Sequence, residues 1–191
     1  MLPARALRAG DSFLNSEFSN IKLIIGLGNP GPRFHNTRHN VGFAAIDALA
    51  ERLNLQFKEQ QDAQVAQWQI NATSCVTLLK PQTFMNSSGL VLPRFQKSGL
   101  QPAQLLVMHD ELERGLGTLS LRFAGSARGH NGLKSIISAI GVNFWRLQFG
   151  IGRPESRTLV ADYVLHKFSP VEKVDVEGAI DTAVQFFVAT I

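Results

Sequence analysis

A histidine, a carboxylate and three amide side chains stand where predicted strands pass into loops, or loops into helices; they are His39, Asp110, Asn29, Asn86 and Asn131. In open α/β sheets such positions meet at the carboxyl edge, where ligands bind. A carboxylate that accepts a hydrogen bond from His39 would favour its action as a general base, and the amides could position water and stabilise an oxyanion. No serine has a Gly-x-Ser-x-Gly setting, so water is the predicted nucleophile. A lone histidine is more often structural, so this interpretation depends on convergence of the set.

The glycine-rich loop before His39 also suggests two other chemistries. Residues 26–31 (GLGNPG) follow a predicted strand and formally match the dinucleotide fingerprint GxGxxG. Prolines prolong the loop where a Rossmann fold would begin its helix, and Asp47 falls inside a predicted helix. His35 and His39 have the spacing of zinc ligands on a helix, but they lie in a loop, and no glutamate follows His35. We therefore predict neither a nicotinamide cofactor nor a metal ion.

The elements that must position these residues alternate between strand and helix patterns. Apolar or alternating runs predict six strands, of which the second and third form a hairpin. These runs cover residues 23–25, 65–70, 74–80, 105–108, 118–123 and 145–151. Helical patterns cover residues 41–53, 91–98 and 133–140, and Ser169 caps a last helix. This order predicts one α/β domain over residues 21–191, with a mixed, mostly parallel twisted sheet flanked by helices on both faces.

The net charge of +4 is unevenly distributed along the chain. Residues 114–157 contain many arginines and lysines but only one acid, Glu155, whereas the balance reverses from residue 161 onward. Such a basic block suits a polyanion such as nucleic acid, although a solvated surface is the commoner reason for a charge block alone. No stretch approaches the roughly 18 apolar residues that span a bilayer, so we expect no membrane insertion. The single cysteine, Cys75, reads as a buried structural thiol in a reducing compartment.

Six short segments carry a family resemblance. They are GLGNPG (26–31), TRHN (37–40), FMNSSG (84–89), HDEL (109–112), GHNGLK (129–134) and GIGRP (150–154). Together they closely resemble bacterial-type peptidyl-tRNA hydrolase, in the family's order and at nearly its spacings, over about residues 21–188. Six matches in register are highly specific, although any one alone would be weak. The segment SARGHN at residues 126–131 resembles eukaryotic, organelle-type members of the family more than typical bacterial members.

The resemblance implies cleavage of the ester between a peptide and the 3′ ribose of tRNA, which recycles tRNA from prematurely released peptidyl-tRNA. By family analogy His39 is the base that activates water, and Asp110 orients and polarises it. Asn29 and Asn86 would hold the substrate end and the reacting groups, and Asn131 would position the water or the peptide backbone. The ester needs only a base and an oxyanion donor, so the resemblance implies no metal or cofactor.

The resemblance also implies residues that bind the substrate. Met85 would line the peptide channel, and Phe34 and Asn40 are also assigned to substrate binding. Basic residues would neutralise phosphates of the tRNA acceptor arm, and these are Arg122, Arg128, Lys134 and Arg157. Phe34 stands where the family often has tyrosine, Ser120 replaces a lysine and Gln148 replaces a frequent arginine. We expect the last two departures to weaken tRNA binding.

A non-catalytic RNA-binding protein on the same scaffold is the alternative function. Plant chloroplast splicing factors resemble these hydrolases, and such a protein would use the basic surface without hydrolysis. The presence of His39, Asp110 and the three asparagines favours the enzyme.

Residues 1–20 lack clear periodicity, and we expect a flexible extension or a targeting segment there. Arg5 and Arg8 precede any acid, as in a mitochondrial presequence, while Asp11 and Glu17 weaken that signal. A mitochondrial location is therefore one expectation and a cytoplasmic location is the alternative. We expect a monomer, because no apolar stripe remains after the core is assigned.

Overall fold

One sheet forms the centre of the molecule. The computed structural model describes residues 5–6, 20–154, 156 and 159–190. The strands in these ranges are β1 (Arg5–Ala6), β2 (Leu23–Gly26), β3 (Lys58–Gln60), β4 (Ala63–Gln69), β5 (Cys75–Pro81), β6 (Leu105–Glu111), β7 (Leu119–Phe123) and β8 (Trp145–Gly150). Their order across the sheet is β1-β7-β8-β6-β2-β5-β4-β3.

Parallel pairing is confined to the middle of this sheet. Strands β8, β6, β2 and β5 pair parallel, and the strands outside them pair antiparallel, including the predicted hairpin of β4 and β5. The whole of β2 and of β6 is buried, as is usual for parallel strands covered on both faces. The prediction of one α/β domain with a mixed sheet and a mostly parallel core is confirmed.

Helices cover both faces of the sheet. They are α1 (Val41–Arg52), α2 (Leu92–Lys97), α3 (Asn131–Ile140), α4 (Val160–Leu165) and α5 (Pro170–Thr190). Helices α1 and α5 share one apolar cluster with Ile24 and Leu106, while α2 and α3 share the other with Ile25 and Val107. Neighbouring strand residues thus face opposite layers, because strand side chains alternate in direction.

The segment after β5 is more ordered than the loop that the sequence predicted. A 3₁₀ helix covers Met85–Val91 and continues directly into α2. Ser88 Oγ donates to the backbone oxygen of Met85 at 2.9 Å, and the backbone N–H of Gly89 donates to Ser135 Oγ of α3 at 2.8 Å. These polar side chains replace the solvent contacts that a loop would use.

The first residues of the chain fall largely outside the described ranges. Arg5 and Ala6 pair antiparallel with Leu121 and Ser120 of β7. The expectation of an extension or targeting segment over residues 1–20 stays a prediction. In the described part of the chain, every helix is too short or too polar to span a bilayer.

Candidate active site

The carboxyl ends of the central parallel strands bring the predicted catalytic residues to one edge. Asn29 follows β2, His39 lies in the 3₁₀ helix Arg38–Asn40 that leads into α1, and Asp110 is the sixth residue of β6. His39 Nδ1 donates to the carboxylate of Asp110, at 2.9 Å from Oδ1 and 3.0 Å from Oδ2. Because Nδ1 carries the proton, Nε2 of the neutral ring is the unprotonated, basic nitrogen.

The histidine and the carboxylate stabilise each other's charge. Burial alone would raise the pKa of Asp110, but the neighbouring His39 and His130 hold that pKa well below its usual range. Burial alone would lower the pKa of His39, but the charge of Asp110 and their hydrogen bond raise it above its ordinary value. The pair therefore favours an ionised carboxylate beside an imidazole that readily accepts a proton.

His130 is a member of the site that the sequence analysis did not assign. Its Nε2 donates to Asp110 Oδ1 at 3.0 Å, and its ring lies 4.8 Å from the ring of His39 between centroids. Its Nδ1 accepts backbone N–H bonds from Gly132 and Leu133, so His130 caps the amino end of α3. The signal in the sequence was its position three residues before the helix predicted over residues 133–140.

Asn29 and Asn40 connect the histidine loop to the segment after β5. The backbone N–H of Asn29 donates to Asn40 Oδ1, and Asn40 Nδ2 donates to the backbone oxygen of Asn29, both at 2.9 Å. Asn29 Oδ1 accepts the backbone N–H of Met85 at 2.8 Å. All three residues are buried, so the two asparagines position the Met85 backbone beside the site.

The remaining predicted catalytic residues, Asn86 and Asn131, and the predicted substrate residue Phe34 are more open than the buried asparagines. Asn86 and Asn131 are exposed, and Lys134 Nζ donates to Asn131 Oδ1 at 3.3 Å. Phe34 meets Phe84 edge to face, with ring centroids 6.3 Å apart. Phe84, to which the sequence analysis gave no role, is 61% exposed, so this aromatic pair presents apolar surface to solvent beside the Met85 segment.

A cavity of about 600 Å³ adjoins the catalytic pair. His39, Asp110 and Asn131 line it together with Arg122 and Arg128. These two arginines give the wall a positive charge, as the basic block predicted. Among the other predicted basic residues, Lys134 is exposed on α3, and Arg157 lies outside the described residues.

Arg146 also lines this cavity, but it is turned into the protein. Its guanidinium donates to the backbone oxygens of Ser126, at 2.7 Å, and Gly125, and it stacks over the Phe144 ring. Burial and the nearby Arg122 lower the pKa of Arg146 to about 10. Arg146 therefore supports the loop that carries Arg128, because it binds the backbone oxygens of that loop.

Gln148 lies next to Arg146 on the same face of β8 and donates to Glu111 Oε2 at 2.7 Å.

His39, Asp110 and His130 place one donor atom each within 4.8 Å of one another, close enough for a shared metal ion. In the present arrangement both histidine nitrogens that face the carboxylate donate hydrogen bonds to it. A nitrogen that carries a proton cannot bind a metal ion at the same time. The absence of a metal from the reaction stays a prediction.

Comparison with known proteins gives a consistent family assignment. The family model described as peptidyl-tRNA hydrolase matches residues 23–191. A peptidyl-tRNA hydrolase of Streptomyces avermitilis is 41% identical over 181 residues, which cover 91% of this chain and 89% of that protein. One from Halalkalibacterium halodurans is 42% identical over 168 residues, covering 86% and 90%.

Solved structures agree with these relatives. The crystal structure of peptidyl-tRNA hydrolase from Acinetobacter baumannii superposes with a TM-score of 0.83 and 40% sequence identity, covering 87% of this chain and 86% of that one. The fold is therefore shared with a peptidyl-tRNA hydrolase of known structure.

Proposed function

The chain belongs to the peptidyl-tRNA hydrolase family and hydrolyses the ester bond of peptidyl-tRNA, and we propose that His39 and Asp110 are the residues that carry out this reaction. The observation that carries the proposal is the hydrogen bond from His39 Nδ1 to the Asp110 carboxylate at the wall of the cavity. This bond leaves Nε2 of His39 as the base.

The reaction follows from this geometry. His39 Nε2 takes a proton from water as the water oxygen attacks the carbonyl carbon of the ester. The imidazolium that forms is stabilised by the negative charge of Asp110. When the tetrahedral intermediate collapses, the bond to the ribose 3′ oxygen breaks, and His39 returns its proton to that oxygen. The products are the tRNA hydroxyl and the free peptide acid, which loses its remaining proton to solvent to become a carboxylate.

The amides supply the remaining polar contacts. Asn131 lines the cavity and Asn86, the neighbour of Met85, is exposed, so their amide N–H groups are available to the substrate oxyanion or the peptide backbone. Asn29 acts indirectly, because it holds the segment that contains Met85, and Asn40 holds Asn29 in turn. We assign Asn131 and Asn86 to direct contact with the substrate, and Asn29 and Asn40 to maintaining the conformation of the substrate-binding edge.

The peptide and the tRNA use different surfaces. Exposed Phe84 and half-buried Phe34, beside the buried Met85, offer an apolar surface for the peptide. Arg122 and Arg128 on the cavity wall, with Lys134 on α3, offer charges for phosphates of the acceptor arm. Arg157 is assigned to the same role from its position in the sequence. Contact with tRNA is thus proposed for the basic half of the sheet.

We also propose that the protein is an organelle-type member of the family, that it is located in mitochondria and that it acts as a monomer. The SARGHN wording at residues 126–131 and the arginines at positions 5 and 8 support the location. Sequencing the amino terminus of the mature protein from cells tests it, since a chain that keeps Met1 contradicts a cleaved presequence and favours the cytoplasm. Light scattering of the purified protein tests the monomer.

Peptide release from N-blocked aminoacyl-tRNA tests the assigned base. The variant His39→Ala is expected to lose about 10²- to 10⁴-fold in kcat, the range typical of a general base. His166→Ala is the matched control, because His166 is exposed and its side chain lies outside the site. An unchanged rate in His39→Ala would refute the assignment. A parent protein that binds tRNA without hydrolysing it would instead support the RNA-binding alternative.

A further inference from the structure

We propose that His130 is a positioning residue that holds the Asp110 carboxylate in one orientation and thereby sets the base strength of His39. The inference deepens the proposed function and rests on it, since it concerns a residue that acts on His39 through the Asp110 carboxylate. It gives a role to a histidine that lies outside the predicted catalytic set.

The tautomer of the His130 ring follows from its two sets of partners. Nδ1 lies 3.1 Å from the backbone nitrogen of Gly132 and 3.3 Å from that of Leu133, and both nitrogens are donors. Nδ1 must therefore be the bare acceptor, and the proton of the neutral ring sits on Nε2. That proton points at Asp110 Oδ1, 3.0 Å away. The helix end thus determines which tautomer faces the carboxylate.

The same helix end fixes the orientation of the His130 ring. Nδ1 accepts the backbone N–H groups of Gly132 and Leu133, so the ring cannot turn without losing both bonds. His130 therefore presents its Nε2–H to Asp110 as a fixed donor.

The two histidines share one carboxylate oxygen. Asp110 Oδ1 accepts from His39 Nδ1 at 2.9 Å and from His130 Nε2 at 3.0 Å. Two donors on one oxygen prevent rotation of the carboxylate and hold the His39 ring in a single direction. They also make the carboxylate a weaker acceptor for His39 than it would be alone, because hydrogen bonds to the charged form stabilise that charge.

A third histidine fixes the backbone of the same strand end. His109 Nδ1 donates to the backbone oxygen of Asp110 at 2.6 Å, and its ring meets His130 edge to face at 5.2 Å between centroids. His39 from the α1 side, His130 from the α3 side and His109 from β6 are the titratable groups around Asp110, with Arg146 of β8 beyond His109. In the described residues only His130 adds a second side-chain donor to the carboxylate.

Two substitutions separate the donor from the helix cap. In His130→Asn the amide oxygen can still accept the backbone N–H groups of α3, because asparagine is a favoured capping residue, but it cannot reach Asp110. In His130→Gln the amide N–H reaches the position of Nε2, but the cap is lost. The first variant removes the positioning contact and the second removes the structural one.

The pH profile of kcat/KM distinguishes the two effects. His130→Asn is expected to lower kcat about tenfold and to move the acidic limb upward by about half a pH unit, since Asp110 then raises the basicity of His39. His130→Gln is expected to keep the limb where the parent has it and to melt at a lower temperature. His166→Asn, an exposed histidine, is the control.

Several outcomes would overturn the inference. An unchanged limb in His130→Asn, with kcat either normal or reduced, would leave His130 with a structural role only. A shift of equal size in both variants would show that the limb does not depend on the hydrogen bond donated to Asp110, because His130→Gln keeps that donor. Failure of the proposed function is seen separately, because His39→Ala would then retain activity whatever the His130 variants do.

Discussion

At the residue scale, Asp110 connects three histidines that have different hydrogen-bonding roles. It holds His39 as a base with a raised pKa, and it accepts a hydrogen bond from Nε2–H of His130. Burial and the adjacent His130 lower the pKa of His109 to about 3, so this third ring is neutral in the folded protein. One carboxylate can influence all three rings because burial makes its electrostatic interaction with each neighbouring charge and hydrogen-bond donor stronger than it would be in water.

The neutral ring of His109 predicts a stability that depends on pH. The pKa of His109 is about 3 in the folded chain and 6.5 when the ring is free, so the unfolded chain binds more protons between these values. Stability is complete above pH 6.5 and falls as the pH falls toward 3, with a slope approaching about 1.4 kcal/mol per pH unit from this group.

Urea unfolding of His109→Asn tests this linkage. Asparagine keeps an N–H near the Asp110 backbone oxygen but does not titrate, so the loss of stability between neutral pH and about pH 5 should be smaller than in the parent. Equal slopes in the two proteins would show that His109 does not provide the linkage. The raised pKa of His39 acts in the opposite direction, and only above pH 6.5.

At the element scale, close packing of α1 against two strand ends sets the distance between base and carboxylate. Gly42 lies in the first turn of α1, three residues after His39, and it faces the backbone of Met108, two residues before Asp110. A Cβ on Gly42 would lie 2.4 Å from the Met108 oxygen and 2.6 Å from the Leu27 nitrogen. The helix can approach this closely only because the side chain is absent.

Gly42→Ala is therefore expected to be strongly destabilising, by about 3 kcal/mol or more, and to lower kcat in whatever protein still folds. The clash is with backbone atoms that no rotamer change can move. Gly178→Ala on α5 is the matched control, because a Cβ there meets nothing within 4 Å. That substitution should stabilise the helix by about 0.5–1 kcal/mol. Chemical denaturation measures both, and a Gly42→Ala protein as stable as the parent would contradict the packing argument.

A second contact ties the histidine loop to the helices that follow β8. Arg38, the neighbour of His39, is buried, and its guanidinium pairs with Glu172 at 2.7 Å and donates to the backbone oxygen of Lys167 at 3.1 Å. It also stacks on the Tyr163 ring. Since Val164 of α4 lines the cavity, this arginine joins one wall of the cavity to the base.

At the scale of the whole molecule, the strand order separates a basic side from the rest. Strands β7 and β8 lie on one side of β6 and contribute Arg122 and Arg146, while β3 forms the opposite edge of the sheet. The cavity opens between the catalytic pair and this basic side. A polyanion drawn to the basic side therefore arrives beside His39.

Arg128→Gln should weaken substrate binding through the loss of one charge. We expect a higher KM, an unchanged kcat, and a plot of log KM against log salt whose slope falls by about 0.7–0.9, the effect of one phosphate contact. Lys58→Gln on β3 is the control, because it removes one exposed charge from the far edge. Equal effects of the two substitutions would mean that only net charge matters and would exclude a local contact for Arg128.

The sequence alone determined the elements and the chemistry of the site. Apolar runs of strand length and helical repeats depend on local spacing, so β2, β5, β6, β8 and the helices α1, α2, α3 and α5 could be predicted, whereas α4 could not. The placement of His39 and Asp110 after such runs was sufficient to predict that they meet, because parallel strands end at a common edge.

Only the tertiary structure decided which atoms face one another. His39 and Asp110 are 71 residues apart in sequence, and His130 reaches the same oxygen from a helix that the strand order places opposite. Arg146 belongs to the basic block of the sequence, yet it turns inward to backbone oxygens, as no charge count can reveal. Burial and hydrogen-bond direction depend on register and on helix packing, and these arise when distant segments meet in the folded chain.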